Sequence, residues 1–508
     1  MSTHNLSYVP SPRQVLSSSR GVLDKADPMD QQTRTCSRDM FRIIAMLLVA
    51  ATAALVFQLI YPPRVEAASD QHPNFVIIFA DDLGYGDLGC QGHPTIRTPN
   101  LDRLAAEGQR WTSFYSAASV CTPSRAALLT GRLPIRSGMC AEQPRVLGSG
   151  ISKGGIPADE ILLSEALKEK GYATGCIGKW HLGHLPQYMP TNNGFDFFYG
   201  LDASNDHNLR HDYPKDQFPE LRRTSALWNN KLYRNLEVVE QPADQRTLTR
   251  HYTEEAVQFI EQHKNKPFLL YMPHTFPHTP LFASEKFQGT SQRGLYGDVV
   301  EELDWSVGTV IDALKQQNVA RNTLVVFTSD NGPWLIRGEK GGSAGLLREG
   351  KGSTWEGGMR VPGIFWWPGR IEPATVRDIG CTMDLFNTCL ALAGVERPDD
   401  RIIDGIDLAP TLFEGKPSPR DHMFFYRGTE IHAVRKGAYK VHFLTRPAFG
   451  RGSDQPIPHD PPLLYDLDED PSERLNFADK YPNVIADVQA LVKSHRANLV
   501  APPSELTK

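Results

Sequence analysis

From residue 74 onward, the apolar and polar positions fall into short, unbroken apolar runs separated by amphipathic stretches. Residues 74–80 (Asn-Phe-Val-Ile-Ile-Phe-Ala), 268–272 and 323–329 are runs rich in β-branched and aromatic residues. Such runs belong to strands covered on both faces of a parallel sheet. Residues 111–115 and 363–367 predict two more strands, and 175–179 lead into a further candidate. Helical periods lie between them. Thr98-Pro99-Asn100 opens a helix through Leu101, Leu104 and Ala105 to Gly108, with Pro near its start and Gly past its end. Residues 161–170 are amphipathic and close at Gly171. Residues 296–316 keep Val299, Val300, Leu303, Val307, Val310, Ile311 and Leu314 on one face, and 383–393 read as another helix. Strand and helix signals alternate, the pattern of a βαβ sheet. A composition shift near 417–421 precedes three short strands (431–434, 439–443, 463–467) and a helix (483–499), which predict a small α+β tail.

Composition changes this picture little. The 508 residues carry a net charge of -5, with 40% apolar and 22% charged residues. This is an ordinary globular balance, and no basic excess points to nucleic acid. The N-terminus is different. Residues 1–40 are polar and Ser-rich and read as a disordered tail, and 43–60 are apolar apart from Thr52 and Gln58. With Arg42 before them and Val65-x-Ala67 after, residues 41–67 read as a signal peptide or signal anchor that puts the globular part outside the cytoplasm. Beyond Asn5 no Asn-x-Ser/Thr sequon occurs, which favours a bacterial exported protein over a lysosomal glycoprotein. Of seven cysteines, six follow the leader, and spending one on catalysis leaves at most two disulfides. No Cys-x-x-Cys pair suggests zinc or redox chemistry.

The candidate chemistry gathers around Cys121-Thr122-Pro123-Ser124-Arg125 and the helix former that follows. Cys121 is expected just ahead of a helix N-terminus, where unpaired N–H groups favour an anion. Arg125, in the first turn, offers a fork suited to an oxyanion. Cys121 can be a buried or bridged cysteine, a thiolate nucleophile without an adjacent histidine, or a modified residue. Asp81-Asp82 and Asp330-Asn331 each end a predicted strand, where open α/β sheets bind ligands, and together they offer oxygens to a hard cation. The competing readings are a solvated turn for the first pair and an Asn-Gly hairpin turn for the second. If their strand continues, Lys179 and His181 face the same way and supply a point charge and a titrating group. His274 and His278 sit on a Pro-rich loop where at least one can act as acid or base. Gly345 to Gly352 nearly matches a phosphate-binding P-loop, but Gly352 replaces the required hydroxyl, so that reading is rejected while Lys351 still can approach an anion.

Taken in order, Asp81-Asp82, Cys-Thr-Pro-Ser-Arg, Gly-Lys-Trp-His-Leu-Gly (178–183), Pro-His-Thr-Pro-Leu (277–281), Thr-Ser-Asp-Asn-Gly (328–332) and Gly-Lys-Gly-Ser-Thr-Trp-Glu-Gly-Gly (350–358) resemble the formylglycine-dependent sulfatases over about residues 74 to 480. Residues 289–298 look like the arylsulfatase A and N-acetylgalactosamine-6-sulfatase branch. The resemblance implies an α/β fold of alkaline phosphatase type, with a large mixed, mostly parallel sheet flanked by helices and a small C-terminal α+β subdomain. The catalytic domain would span 68–420 and the subdomain 421–508. It implies a Ca2+ site of Asp81, Asp82, Asp330 and Asn331, with the group derived from Cys121 also on the ion. Cys121 would be oxidised to formylglycine by a maturation enzyme, and one hydroxyl of its hydrate would attack sulfur while Asp330 takes the proton. Lys179 and Lys351 would neutralise sulfate oxygens, and His278 would protonate the leaving alkoxide. Arg125 and His181 would hold the hydrated aldehyde, and Ser204 would contact substrate. The expected activity is hydrolysis of sulfate esters of a carbohydrate or aryl substrate. The alternatives are a phosphoryl hydrolase or transferase of the same fold and a non-catalytic binder of sulfated glycans.

Overall fold

The computed structural model describes residues 45–47, 72–209, 227–450 and 455–508. The predicted tail and all but three residues of the leader lie outside them. Among the described residues no helix is long and apolar enough to cross a membrane.

The apolar runs become strands of one ten-stranded sheet: β1 (Asn74–Ala80), β2 (Gln109–Tyr115), β3 (Ala173–Lys179), β4 (Phe197–Leu201), β5 (Leu232–Arg234), β6 (Glu237–Glu240), β7 (Phe268–Pro273), β8 (Thr323–Ser329), β9 (Gly363–Trp366) and β10 (Ala374–Cys381). Their order is β10-β2-β9-β8-β1-β7-β3-β4-β5-β6. The central five, β8 to β4, are parallel, while β9 runs antiparallel to both neighbours and β5–β6 form an antiparallel edge. The sheet is thus mixed and mostly parallel, as expected.

Alternation along β1 divides the core in two. Val76, Ile78 and Ala80 join Leu101 and Leu104 of α1 (Pro99–Glu107) on one face. Phe75, Ile77 and Phe79 join Ala126, Leu128 and Leu129 of α2 (Cys121–Thr130) on the other. The first face also packs α3 (Leu248–His263) and α4 (Leu295–Gln316), and the second packs α5 (Asp384–Ala393). All ten residues of α2 are buried, which explains why its sequence has no polar stripe.

A second, antiparallel sheet follows: β11 (His422–Arg427), β12 (Glu430–Lys436), β13 (Tyr439–Thr445) and β14 (Ile457–Asp466), in that order, backed by α6 (Pro482–Ala497). A buried charge cluster ties it to the large sheet. Lys440 of β13 meets Glu356 at 2.8 Å and Glu473 at 3.2 Å. Glu473 also holds His442 at 2.7 Å and accepts the N–H of Glu356, while Glu356 accepts from Tyr115 of β2 at 2.6 Å. The six cysteines among the described residues are all free thiols.

Candidate active site

The carboxyl ends of β1, β3, β7 and β8 open toward the N-terminus of α2, and the predicted residues gather there. Cys121 is the first residue of α2 rather than the one before it, with Val120 as the cap. Its Sγ lies 3.6 Å from Asp81 Oδ1 and accepts from Lys351 Nζ at 3.6 Å. Burial and the charge of Asp81 push the thiol well above its ordinary range, so a resting thiolate is disfavoured.

Three carboxylates face three fixed cations. Lys179 Nζ, at the end of β3, bonds to Asp81 Oδ2 and to Ser204 Oγ at 3.2 Å. Lys351 Nζ stands 2.8 Å from Asp82 Oδ1. Arg125 corrects the sequence reading. Its guanidinium is fully buried among the protein's own carboxylates: Nη2 and Nε bond Asp330 Oδ2 at 2.8 and 3.1 Å, Nη2 lies 3.4 Å from Asp81 Oδ2, and Nη1 bonds the Lys179 carbonyl at 2.7 Å. Burial opposes charge on Asp81, yet Lys179, His278 and Arg125 together hold its carboxyl well below the usual range. Asp330 is pushed up to about 6, by burial first and then by Asp81.

The residues fit a hard cation. Asp81, Asp82, Cys121 and His278 each offer an atom within 4.8 Å of the others. Asp330 stands off this group, with Oδ2 held by Arg125 and Oδ1 accepting the Asp82 N–H at 3.1 Å. Asn331 Nδ2 donates to Asp82 Oδ1 at 2.7 Å, and Asn331 Oδ1 is a buried acceptor with no protein partner. An orphaned buried oxygen among carboxylates suits an oxygen-seeking ion. Asp82 itself is held left-handed at φ 62, a conformation that non-glycine residues keep where the surroundings enforce it.

The two histidine readings separate. β3 ends at Lys179, and His181 has φ 62, so the two side chains do not share a strand face. His181 instead gives Nε2–H to the Leu147 carbonyl at 2.8 Å, and its Nδ1 is left as a buried acceptor without a partner. Its carbonyl accepts from Thr122 of α2 at 3.1 Å, which ties it to the Cys121 turn. His278 enters the site, with Nε2 3.6 Å from Asp82 Oδ2. Burial and the nearby Lys351 lower it to about 4. His274 packs near Tyr252 in the core, and burial lowers it to about 3. Sequence reasoning missed Asn205, which bonds His278, and Asp206, whose carboxyl is lowered despite burial by His278 and His207. Both directly follow Ser204, but no motif marks them.

A cavity of about 860 Å³ lies elsewhere, lined by Tyr85, Arg360, Arg420, Arg435 and Lys436 among others. Three of its lining arginines are committed to protein: Arg420 to Asp384, Arg435 to Ser113, and Arg360 to Glu356.

The profile described as Sulfatase matches residues 73–395, and that described as the C-terminal region of aryl-sulfatase matches 418–508. The chain is 42% identical over 492 residues to N-acetylgalactosamine-6-sulfatase of Mus musculus, covering 89% of this chain and 92% of the relative. It is 44% identical over 429 residues to human arylsulfatase A, covering 80% and 83%. Among solved structures, the PsFucS1 sulfatase from Pseudoalteromonas sp. superposes with a TM-score of 0.76 at 31% identity, covering 85% of this chain and 91% of that one.

Proposed function

Because this chain belongs to the sulfatase family and is a sulfuric ester hydrolase, we propose that it removes sulfate from a sulfated carbohydrate, using Ca2+ and a formylglycine made from Cys121. The observation that carries this reading is the packing of Cys121 at a buried helix N-terminus between Asp81 and Lys351. Asp81, Asp82 and Asn331 would hold the ion, with Asp330 completing the set from behind Asp82, and the ion would supply Lewis-acid stabilisation of a sulfate oxygen. The group derived from Cys121 would supply a nucleophilic oxygen at the place of the thiol and a second hydroxyl through which sulfate could be expelled.

The chain's own residues do the rest. Lys179 and Lys351 neutralise the sulfate oxygens in a site that excludes water, where such charges act strongly. Ser204, bonded to Lys179, faces the substrate. Asp330, with its raised pKa, takes the proton of the attacking hydroxyl. Arg125 acts at one remove by fixing Asp330, and His181, tied to the Cys121 turn through Thr122, would steady the group derived from Cys121. His278 would give a proton to the departing sugar oxygen, which leaves poorly unprotonated, once a negative sulfate beside it favours the charged ring that burial and Lys351 oppose. The name of the mouse relative, N-acetylgalactosamine-6-sulfatase, supports a carbohydrate substrate. The apolar segment of residues 41–67 supports a place outside the cytoplasm for the globular part.

Protein co-produced with a formylglycine-generating enzyme should release inorganic sulfate from a panel of sulfated oligosaccharides. Mass spectrometry of the Cys121 peptide should show the aldehyde. Only free thiol in fully active protein would refute the reading.

A further inference from the structure

We propose that Trp334 and Arg337 form a second anion subsite beside the reaction centre, so that the favoured glycan carries another acidic group, a carboxylate or a sulfate, next to the ester that is cleaved. This subsite rests on the reading of the substrate as a sulfated carbohydrate.

Both residues lie just past the Thr-Ser-Asp-Asn-Gly stretch at the end of β8, and none of the catalytic steps uses them. The Pro333 carbonyl accepts the Lys351 N–H at 2.9 Å, which holds the two loops together and sets Trp334 against the site. Lys351 Nζ stands 4.6 Å from the centre of the indole, and the His278 ring stands 5.5 Å from it. Lys351 faces a sulfate oxygen and His278 the departing sugar oxygen, so the half-buried indole flanks the place where sulfate joins the sugar.

A short 3-10 turn, Leu335–Lys340, then brings Arg337 over the same indole, with its Cζ 3.8 Å from the ring centre. A guanidinium lying on an aromatic face keeps the N–H donors at its edge free for an anion. Arg337 is exposed, and among the described residues its side chain has no ion pair and no hydrogen bond, not even with Glu339 two residues on. Arg125 and Arg420 differ, each being buried against a carboxylate. The indole thus orders the guanidinium without neutralising it, and an incoming anion meets a charge that is already in place.

The geometry also sets the spacing of the ligand. The two cations can be no farther apart than 3.8 and 4.6 Å laid end to end, which is shorter than a disaccharide. The second acidic group therefore belongs to the sulfated sugar itself or to its immediate neighbour. A simple aryl sulfate has no such group.

Competition against nitrophenyl sulfate hydrolysis, with the Ca2+-loaded enzyme bearing formylglycine, reads the affinity of a sugar whether or not it is turned over. The probes are sulfated disaccharides with no other acidic group, with a carboxylate, or with a second sulfate. Wild-type enzyme should bind at least one doubly acidic sugar about 10-fold more tightly than the singly acidic one, the size expected of a charge-assisted bond to a guanidinium. Arg337→Ala should erase that preference and Arg337→Glu should reverse it. The preference is a ratio within each variant, so a general loss of activity cancels. Added salt should shrink it, because the charge is exposed. The carboxylate and sulfate arms identify which acidic group the subsite takes. Wild-type enzyme that does not distinguish the sugars, or a preference that survives Arg337→Ala, overturns the subsite and leaves a solvated surface arginine. Sulfate release from the same sugars separates the underlying reading. Arg337-dependent binding without release would remove the carbohydrate sulfatase reading and keep the subsite, whereas release with no dependence on Arg337 would do the opposite.

Discussion

At the scale of single residues, Asn331 separates the ion's contribution from that of the fold. Its Nδ2 already serves Asp82 and the Gly332 carbonyl, whereas its Oδ1 has no protein partner. Losing the protein bonds costs about 1 kcal/mol each. A ligand that binds only the folded state stabilises it by about 2.7 kcal/mol at a hundred times its dissociation constant. Adding Ca2+ to chelated wild-type protein should therefore raise the melting temperature, and Asn331→Ala should lose most of that increase while melting only slightly lower in chelator. A variant that responds to Ca2+ as the wild type does, or a recovered ion that proves to be zinc, would overturn the ligand assignment.

Among the elements, the end of β3 sets the position of Lys179. Gly178 has φ 135, and a Cβ there would lie 1.9 Å from the Pro273 carbonyl of β7. Gly178→Ala should cost about 2 kcal/mol or more, the usual size of a forced backbone clash, and should lower activity by displacing Lys179. Denaturant unfolding and turnover of the same preparation check both, and unchanged values would show that β3 has slack. The same element marks what the sequence made legible. β1, β7, β8 and α4 were readable because each is covered along its length and so carries an unbroken or periodic apolar signal. β10 was not, since residues 374–378 are exposed or half-buried and include Arg377 and Asp378. The site residues were legible as motifs at strand ends, but their directions were not. The turn of His181 out of β3 and the commitment of Arg125 to Asp330 depend on contacts from segments far away in the chain. Asn205 carries no signal of its own, because its place is set by partners at Pro280, Gln245 and His278.

For the molecule as a whole, the Glu356 cluster makes the union of the two sheets depend on acidity. Burial opposes the charge of Glu356, but Lys440 and Arg360 bring its pKa from 4.5 down to about 2. A group with a depressed folded pKa stabilises fully above its unfolded value and loses that contribution as pH falls through the folded one. This part of the stability is therefore complete above about pH 4.5 and disappears toward pH 2. Glu356→Gln should cost about 3 kcal/mol at neutral pH, at the low end for a broken buried pair because Glu473 still faces Lys440. It should also flatten the pH dependence of unfolding between those limits. A variant whose acid transition matches the wild type would show that other carboxylates govern it.

The burial of α2 also fixes an order of events in the life of each chain. Cys121 is 2% exposed and every residue of its helix is covered, so no second protein can close around that thiol in the finished fold. The proposed oxidation of Cys121 would therefore have to precede folding, and a chain that folds first would keep its thiol and stay inactive. Folded, unmodified protein should resist a formylglycine-generating enzyme that readily converts the same chain when unfolded. On that reading the active fraction of a preparation would be decided during synthesis, and maturation enzyme added to folded protein should not raise it.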